Sequence, residues 1–260
     1  MELDEILASL KSGKIEVSEA RKLMSLYSLE KIEGFAKIDT GRKNRRGIPE
    51  VIFAEKKKLD ETKKIIQRVL KKSNSVLVSR INKNDFNKII HFSKKNKYKI
   101  EQGKNSTSLL VYKKTLKKGK GKVGILTAGT SDIGVAEEAR LMCKAMNCDC
   151  ICSYDVGVAG IHRVFPKLKE FLKKEVDSII VVAGMEGALA TIVSSSVNIP
   201  VIGVPTSVGY GYGEKGVAAL ASMLQSCALG LAVVNIDNGI GAGSIAASIA
   251  NRSNRKRTKR

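Results

Sequence analysis

Tryptophan is absent from this chain of 260 residues, and histidine occurs only as His91 and His162, so imidazole chemistry is confined to those two positions. No run of eighteen apolar residues occurs, which excludes a membrane-spanning helix. The opening Met1-Glu-Leu-Asp-Glu-Ile6 lacks the basic start and apolar block of a secretory signal, and a cytoplasmic location is expected. Five cysteines, an odd number with no such signal, predict reduced thiols rather than a disulfide framework. Three of them form Cys148-x-Cys150-x-Cys152, a spacing unlike the common zinc patterns. They read, with Cys143, as core residues.

What is abundant is lysine. The net charge is +21, a value that invites nucleic acid, but its distribution is uneven. Residues 1–120 carry 31 Lys/Arg against 14 Asp/Glu, residues 121–251 carry 9 against 11, and the tail 252–260 is basic. Lysine-rich faces with few aromatics are solvated surface, so neither a nucleic-acid nor a membrane partner is expected. The excess still suits steering of an anionic substrate.

Residues 1–30 read as two short helices, followed by the basic segment Asp39–Phe53. Then come a strand at Val51–Ala54, a helix at Leu59–Leu70, a strand at Ser75–Val78, a helix at Asp85–Ser93 and strands at Lys99–Gln102 and Ser108–Tyr112. That order makes a small α/β domain. The charged segment Lys113–Lys122 is a linker, and the boundary falls between residues 118 and 119. Residues 119–251 alternate apolar runs (Val123–Thr127, Cys150–Asp155, Ser178–Ala183, Val201–Val204, Leu231–Asp237) with helical patterns, the last at Ser244–Asn251. The pattern predicts an α/β fold with a three-layer parallel sheet, and the tail 252–260 is expected to lack structure.

Ligands on such sheets sit at the carboxyl ends of the strands. Five loops lie there: Thr127–Asp132, Asp155–Arg163, Ala183–Gly187, Pro205–Gly213 and Asp237–Gly243, all rich in glycine and in hydroxyl or charged groups. The first, within Gly124–Ala139, is a small-residue turn before a helix and suits an anion, although it matches neither the P-loop nor Gly-x-Gly-x-x-Gly. Gly239-x-Gly241-x-Gly243 lacks the acidic ribose ligand about twenty residues on and reads as a tight turn near Cys227.

Ala128-Gly-Thr-Ser-Asp132, Gly160-Ile-His-Arg163 and Ala183-Gly-Met-Glu-Gly187 together resemble the aminoimidazole ribonucleotide carboxylase fold, which is flavodoxin-like. The purine enzyme's catalytic histidine has no counterpart: Gly187 stands there. A closer resemblance is to the LarB family, pyridinium-3,5-biscarboxylic acid mononucleotide synthases of nickel-pincer cofactor synthesis. Their N-terminal motif is matched by Asp39, Arg42, Arg45, Gly47, Pro49, Glu50 and Val51, and their cysteine by Cys227 in Leu224–Gly230. The resemblance implies carboxylation of nicotinic acid adenine dinucleotide at ring carbon 5 by carbon dioxide, with hydrolysis of its phosphoanhydride. It implies no organic cofactor, carbon dioxide or bicarbonate as co-substrate, and a homo-oligomer, commonly an octamer. The alternative is a purine-pathway carboxylase or mutase.

A pyridinium carbon attacks carbon dioxide only after a nucleophile has broken the aromaticity, and a group that adds and leaves easily suggests cysteine. On that reading Cys227 is the nucleophile and Glu186 the acid/base, unless Glu186 merely faces solvent. Thr130 and Ser131 hold phosphate; Asp132 contacts a ribose, a water or Mg2+. Arg163 binds phosphate or forms a structural ion pair, with Asp155 and His162 in its loop. Gly184, Met185, Thr206, Ser207, Gly209 and Tyr210 are further candidates for substrate binding; the Thr206–Gly213 loop is either a lid that closes over the ring with Tyr210 or Tyr212 against it, or a glycine-rich hinge without ligand contact. Charge at the anhydride is neutralised by magnesium or by arginines, for which Arg42, Arg45 and Arg46 are the candidates.

Overall fold

Two short helices open the chain, α1 (Leu3–Lys11) and α2 (Val17–Met24), each with acidic residues in its first turn and basic ones in its last, the arrangement the helix dipole favours. The computed structural model describes residues 3–24, 29–32, 36–39, 42, 46–117 and 119–257. Packing divides the chain into one unit of Met1–Ile100 with Leu110–Lys114 and another of Glu101–Leu109 with Thr115–Arg260.

In the first unit, β1 (Leu29–Ile32) pairs antiparallel with β2 (Ala36–Asp39). The sequence reading has no such hairpin, because four-residue strands carrying charges show no usable alternation. Next come β3 (Val51–Phe53), α3 (Leu59–Lys72), β4 (Ser75–Ser79), α4 (Lys83–Lys95), β5 (Lys99–Gln102) and β6 (Leu109–Tyr112), with the strands ordered β3-β4-β6-β5. Helix α3 buries Thr62, Ile65, Ile66, Val69 and Leu70, the spacing of a single helix face. It starts where the Lys58 N–H donates to the Glu61 carboxylate at 3.0 Å.

The second unit continues with β7 (Lys122–Thr127), α5 (Ile133–Ala145), β8 (Asp149–Ser153), α6 (Val164–Lys173), β9 (Ser178–Ala183), α7 (Ala188–Ser196), β10 (Val201–Pro205), α8 (Val217–Leu224), β11 (Leu231–Val233) and α9 (Gly239–Arg257). Its sheet runs β11-β10-β9-β7-β8, with every pair parallel. Strands β9 and β10 are buried at every position, as continuous apolar runs covered on both faces require. The chain places β8 on one side of β7, then crosses back to lay β9, β10 and β11 on the other. This is the flavodoxin-like order, and its switch point opens a crevice outside the carboxyl ends of β7 and β9.

Three elements differ from the sequence reading by more than two residues at a bound. Helix α8 begins at Val217 rather than Gly213, because Gly216 sits at φ +83°, left-handed backbone that a helix does not propagate through. Strand β11 stops at Val233 instead of Asp237. Beyond it the backbone still touches β10, through Val234 N–H to Gly203 O at 3.0 Å and Asp237 N–H to Pro205 O at 2.9 Å.

The last helix begins at Gly239 and runs to Arg257. The expectation of a structureless tail is therefore corrected as far as Arg257: no glycine or proline interrupts 244–257, and basic residues suit a helix C-terminus. Residues 258–260 lie outside the described residues. The glycines read as a tight turn near Cys227 are instead helical. A Cβ on Gly239 would lie 2.2 Å from the Val135 carbonyl oxygen, and one on Gly243 2.6 Å from that of Ala139. They let α9 pack directly on the backbone of α5.

Glu101–Leu109 is tied to α5 by charge. Arg140 reaches Glu137 at 2.8 Å and Glu101 at 2.5 Å, Lys144 contacts Glu101, and the Lys104 N–H donates to Glu137 at 3.0 Å. Among the described residues no helix is long and apolar enough to cross a membrane.

Candidate active site

The residues after β7, Thr130–Asp132, form a single tight turn that leads into α5. Thr130 and Ser131 are exposed while Asp132 is only 3% exposed. The Asp132 carboxylate accepts the Thr206 hydroxyl at 2.7 Å and the Gly129 N–H at 2.8 Å, and it is also hydrogen-bonded by the Gly184 backbone. One carboxylate thus joins the loops after β7, β9 and β10. Burial raises its pKa, and the charge of Asp237 pushes the same way against the three hydrogen bonds. Buried and occupied by protein donors, Asp132 does not fit the expected role of ribose or Mg2+ ligand. It organises the groups that face solvent.

The other loops are stitched to this point. Thr206 N–H donates to Ala183 O at 3.1 Å, and Met185 N–H to Val208 O at 3.0 Å. A Cβ on Gly184 would lie 2.2 Å from the Val208 oxygen, so only glycine lets the two loops approach this closely. Ser207 N–H donates to Asp237 Oδ1 at 2.9 Å. Asp237, at φ +54°, belongs to no motif of the sequence, and its position at a carboxyl-end loop is the only signal there for it.

Asp155 and Arg163 stand beside the turn. Asp155 N–H donates to Thr127 Oγ1 at 3.0 Å, and Arg163 Nη1 lies 3.1 Å from Asp155 Oδ2. The ion-pair reading of Arg163 is the one seen, and the guanidinium remains exposed beside the turn. His162 is exposed in the same loop. Glu186 is exposed between Met185 at φ +50° and Gly187 at φ +69°, a tight turn that pushes its side chain outward. Ser207, Gly209 and Tyr210 are exposed too.

The structure thus gathers Thr130, Ser131, Asp132, Asp155, His162, Arg163, Gly184, Met185, Glu186, Thr206, Ser207, Gly209 and Tyr210 at one edge of the sheet. It does not bring Cys227 to them. Cys227 is exposed in the segment between α8 and β11, at the amino end of a strand whose carboxyl end leads to Asp237. Ser194 Oγ donates to Leu229 O at 3.4 Å, which seats this segment against the far end of α7. The length of β10, about 16 Å at 3.3 Å per residue, separates the two edges.

Arg42 belongs to the first unit, where it faces Glu50 at 3.6 Å. Arg45 lies outside the described residues. The remaining cysteines surround the α5–β8 contact. Cys143 is pushed well up by its hydrogen bond with Cys150 and by burial, and burial pushes Cys148 and Cys152 to about 12. Such thiols are inert at neutral pH.

The AIR carboxylase family model matches residues 122–260, and the model of the LarB/PurE-like N-terminal domain matches residues 29–105. The chain belongs to the AIR carboxylase family, with the LarB/PurE-like domain at its N-terminal side, and so to enzymes of the carboxylase and mutase type. An uncharacterised protein of Methanocaldococcus jannaschii is 45% identical over 252 residues, 95% of this chain and 96% of that protein. The N5-carboxyaminoimidazole ribonucleotide mutase of Thermotoga maritima is 31% identical over 133 residues, 49% of this chain and 74% of that protein. A crystal structure of a Treponema denticola PurE2 variant aligns at 21% identity with a TM-score of 0.41, over 54% of this chain and 94% of that one.

Proposed function

We propose that the chain carboxylates the pyridinium ring of nicotinic acid adenine dinucleotide at carbon 5 and hydrolyses the phosphoanhydride, yielding the biscarboxylic mononucleotide and AMP. The observation that carries this reading is the edge itself. Exposed Thr130 and Ser131 hydroxyls and the Arg163 guanidinium surround a buried clamp, a set suited to a phosphorylated substrate. The loop that holds a histidine in the purine enzymes offers only Glu186 as a titratable group.

The chemistry runs in balanced steps. A thiolate electron pair forms a carbon–sulfur bond to the ring, leaving an enamine whose carbon 5 attacks carbon dioxide and becomes a carboxylated sp3 carbon. Glu186 takes the proton from that carbon; the C–H electron pair returns to the ring and the thiolate departs. Water hydrolyses the anhydride.

Because Cys227 lies at the opposite edge of its own sheet, this reading takes the thiolate from a second copy. The surroundings suit that: Leu224 and Leu229, flanking Cys227, are 66% and 95% exposed, apolar surface of the kind that interfaces cover. The test is AMP release from the dinucleotide. The reading requires release that depends on bicarbonate and disappears in Cys227→Ala; release that ignores both would overturn it, and carboxylation of aminoimidazole ribonucleotide instead would favour the purine-type enzyme.

A further inference from the structure

The loop after β10 has a fixed stem and a bare tip. Its stem is held by the Thr206 hydroxyl on Asp132, the Ser207 N–H on Asp237 and the Val208 carbonyl under Met185. Its return leg passes Gly216, where a Cβ would lie 2.6 Å from the Thr206 oxygen. Between these anchors come Gly209, Gly211 at φ +75° and Gly213, and the tip carries Tyr210 and Tyr212, 81% and 108% exposed. No other aromatic side chain among the described residues is so exposed.

A phenol ring in water at the rim of a polar site gains most from a flat partner that covers its face and keeps a hydrated edge, as a nucleobase does. Ser131 adjoins Asp132, and Ser207 adjoins Thr206, so the turn and the stem of this loop are joined by one hydrogen bond, from the Thr206 hydroxyl to the Asp132 carboxylate. Four residues of chain separate Thr206 from Tyr210 and span at most about 14 Å, which keeps the tip within reach of a base attached through ribose to a phosphate at the turn.

We propose that Tyr210 and Tyr212 form the purine-recognition element of the site, stacking on the adenine ring and so selecting a dinucleotide over a mononucleotide. The proposal rests on the reading that the substrate carries an adenine. The tyrosines act by ring face and not by hydroxyl, so phenylalanine substitutes for them.

The experiment is calorimetric binding of AMP and of ribose 5-phosphate to the full chain and to Tyr210→Ala, Tyr212→Ala, the double alanine variant and the double phenylalanine variant. AMP binding weakens about ten-fold or more in the double alanine variant, stays within about two-fold in the double phenylalanine variant, and ribose 5-phosphate is indifferent to all four changes. Failure of AMP to bind the unaltered chain overturns the proposal. So does equal loss of both ligands, loss of AMP binding in the phenylalanine variant, or dissociation of an oligomer by the alanine changes, which would make the tip a contact between copies. AMP binding of the stated pattern without turnover of the dinucleotide sinks the proposed reaction alone.

Discussion

The Thr206 hydroxyl donates to the Asp132 carboxylate at 2.7 Å across 74 residues of sequence. The bond is wholly buried and sits at the switch point of the parallel sheet, where it closes the crevice floor beneath the exposed groups of three loops. Asp132 was expected to touch the ligand; it shapes the site from below.

Thr206→Val keeps the shape of the side chain and removes the donor, leaving a buried carboxylate one partner short. Destabilisation of about 1–3 kcal/mol is expected, measured as a lowered urea midpoint with unchanged slope. A midpoint equal to that of the unaltered protein contradicts the clamp.

The same carboxyl gives a pH dependence of known sign. Its pKa in the folded chain is raised above the ordinary 3.8, so the folded state binds the proton more tightly and this group's stabilisation falls as pH rises from that value through the folded one. The difference in stability between the protein and Asp132→Asn should change with pH across that window and level off above it. A difference constant across the window contradicts the raised value.

Glu101 and Glu137 behave oppositely. Burial alone would raise both, but Lys144 and Arg140 beside Glu101, and Arg140 and Tyr154 beside Glu137, hold them below their ordinary value. Their stabilisation is present above the ordinary carboxylate range and is lost as pH falls through the folded values. Arg140→Ala should cost about 2 kcal/mol near neutrality and progressively less in acid, read from urea unfolding at a series of pH values.

Much of the fold was legible because burial writes itself into strands. Ser178–Ala183, buried at every residue, was bounded correctly from its apolar run alone. The β1–β2 hairpin was not, because its strands are short and charged. The start of α9 was missed because Gly239 and Gly243 look like turn residues, whereas their purpose is contact with α5, which lies about a hundred positions earlier. The site residues were legible as carboxyl-end loops of a parallel sheet; the burial of Asp132 was not, since its partners Thr206 and Gly184 are remote in sequence. The same topological rule that located the loops also puts Cys227, four residues before a parallel strand, at the other edge.

That separation makes a prediction for mixed assemblies. Cys227→Ala and Arg163→Ala each abolish dinucleotide carboxylation alone. Mixed after dissociation and reassembled, they regain a substantial fraction of activity, because some sites then combine an intact edge with an intact thiol from the other copy. No recovery in mixtures that demonstrably contain both variants contradicts a thiol shared between copies.

Mass spectrometry of the small-molecule product formed from nicotinic acid adenine dinucleotide and carbon-13 bicarbonate tests the account most directly. The account predicts a pyridinium mononucleotide bearing one labelled carboxylate, formed one for one with AMP. An unlabelled mononucleotide, or an untouched dinucleotide in a preparation that instead carboxylates aminoimidazole ribonucleotide, would contradict it.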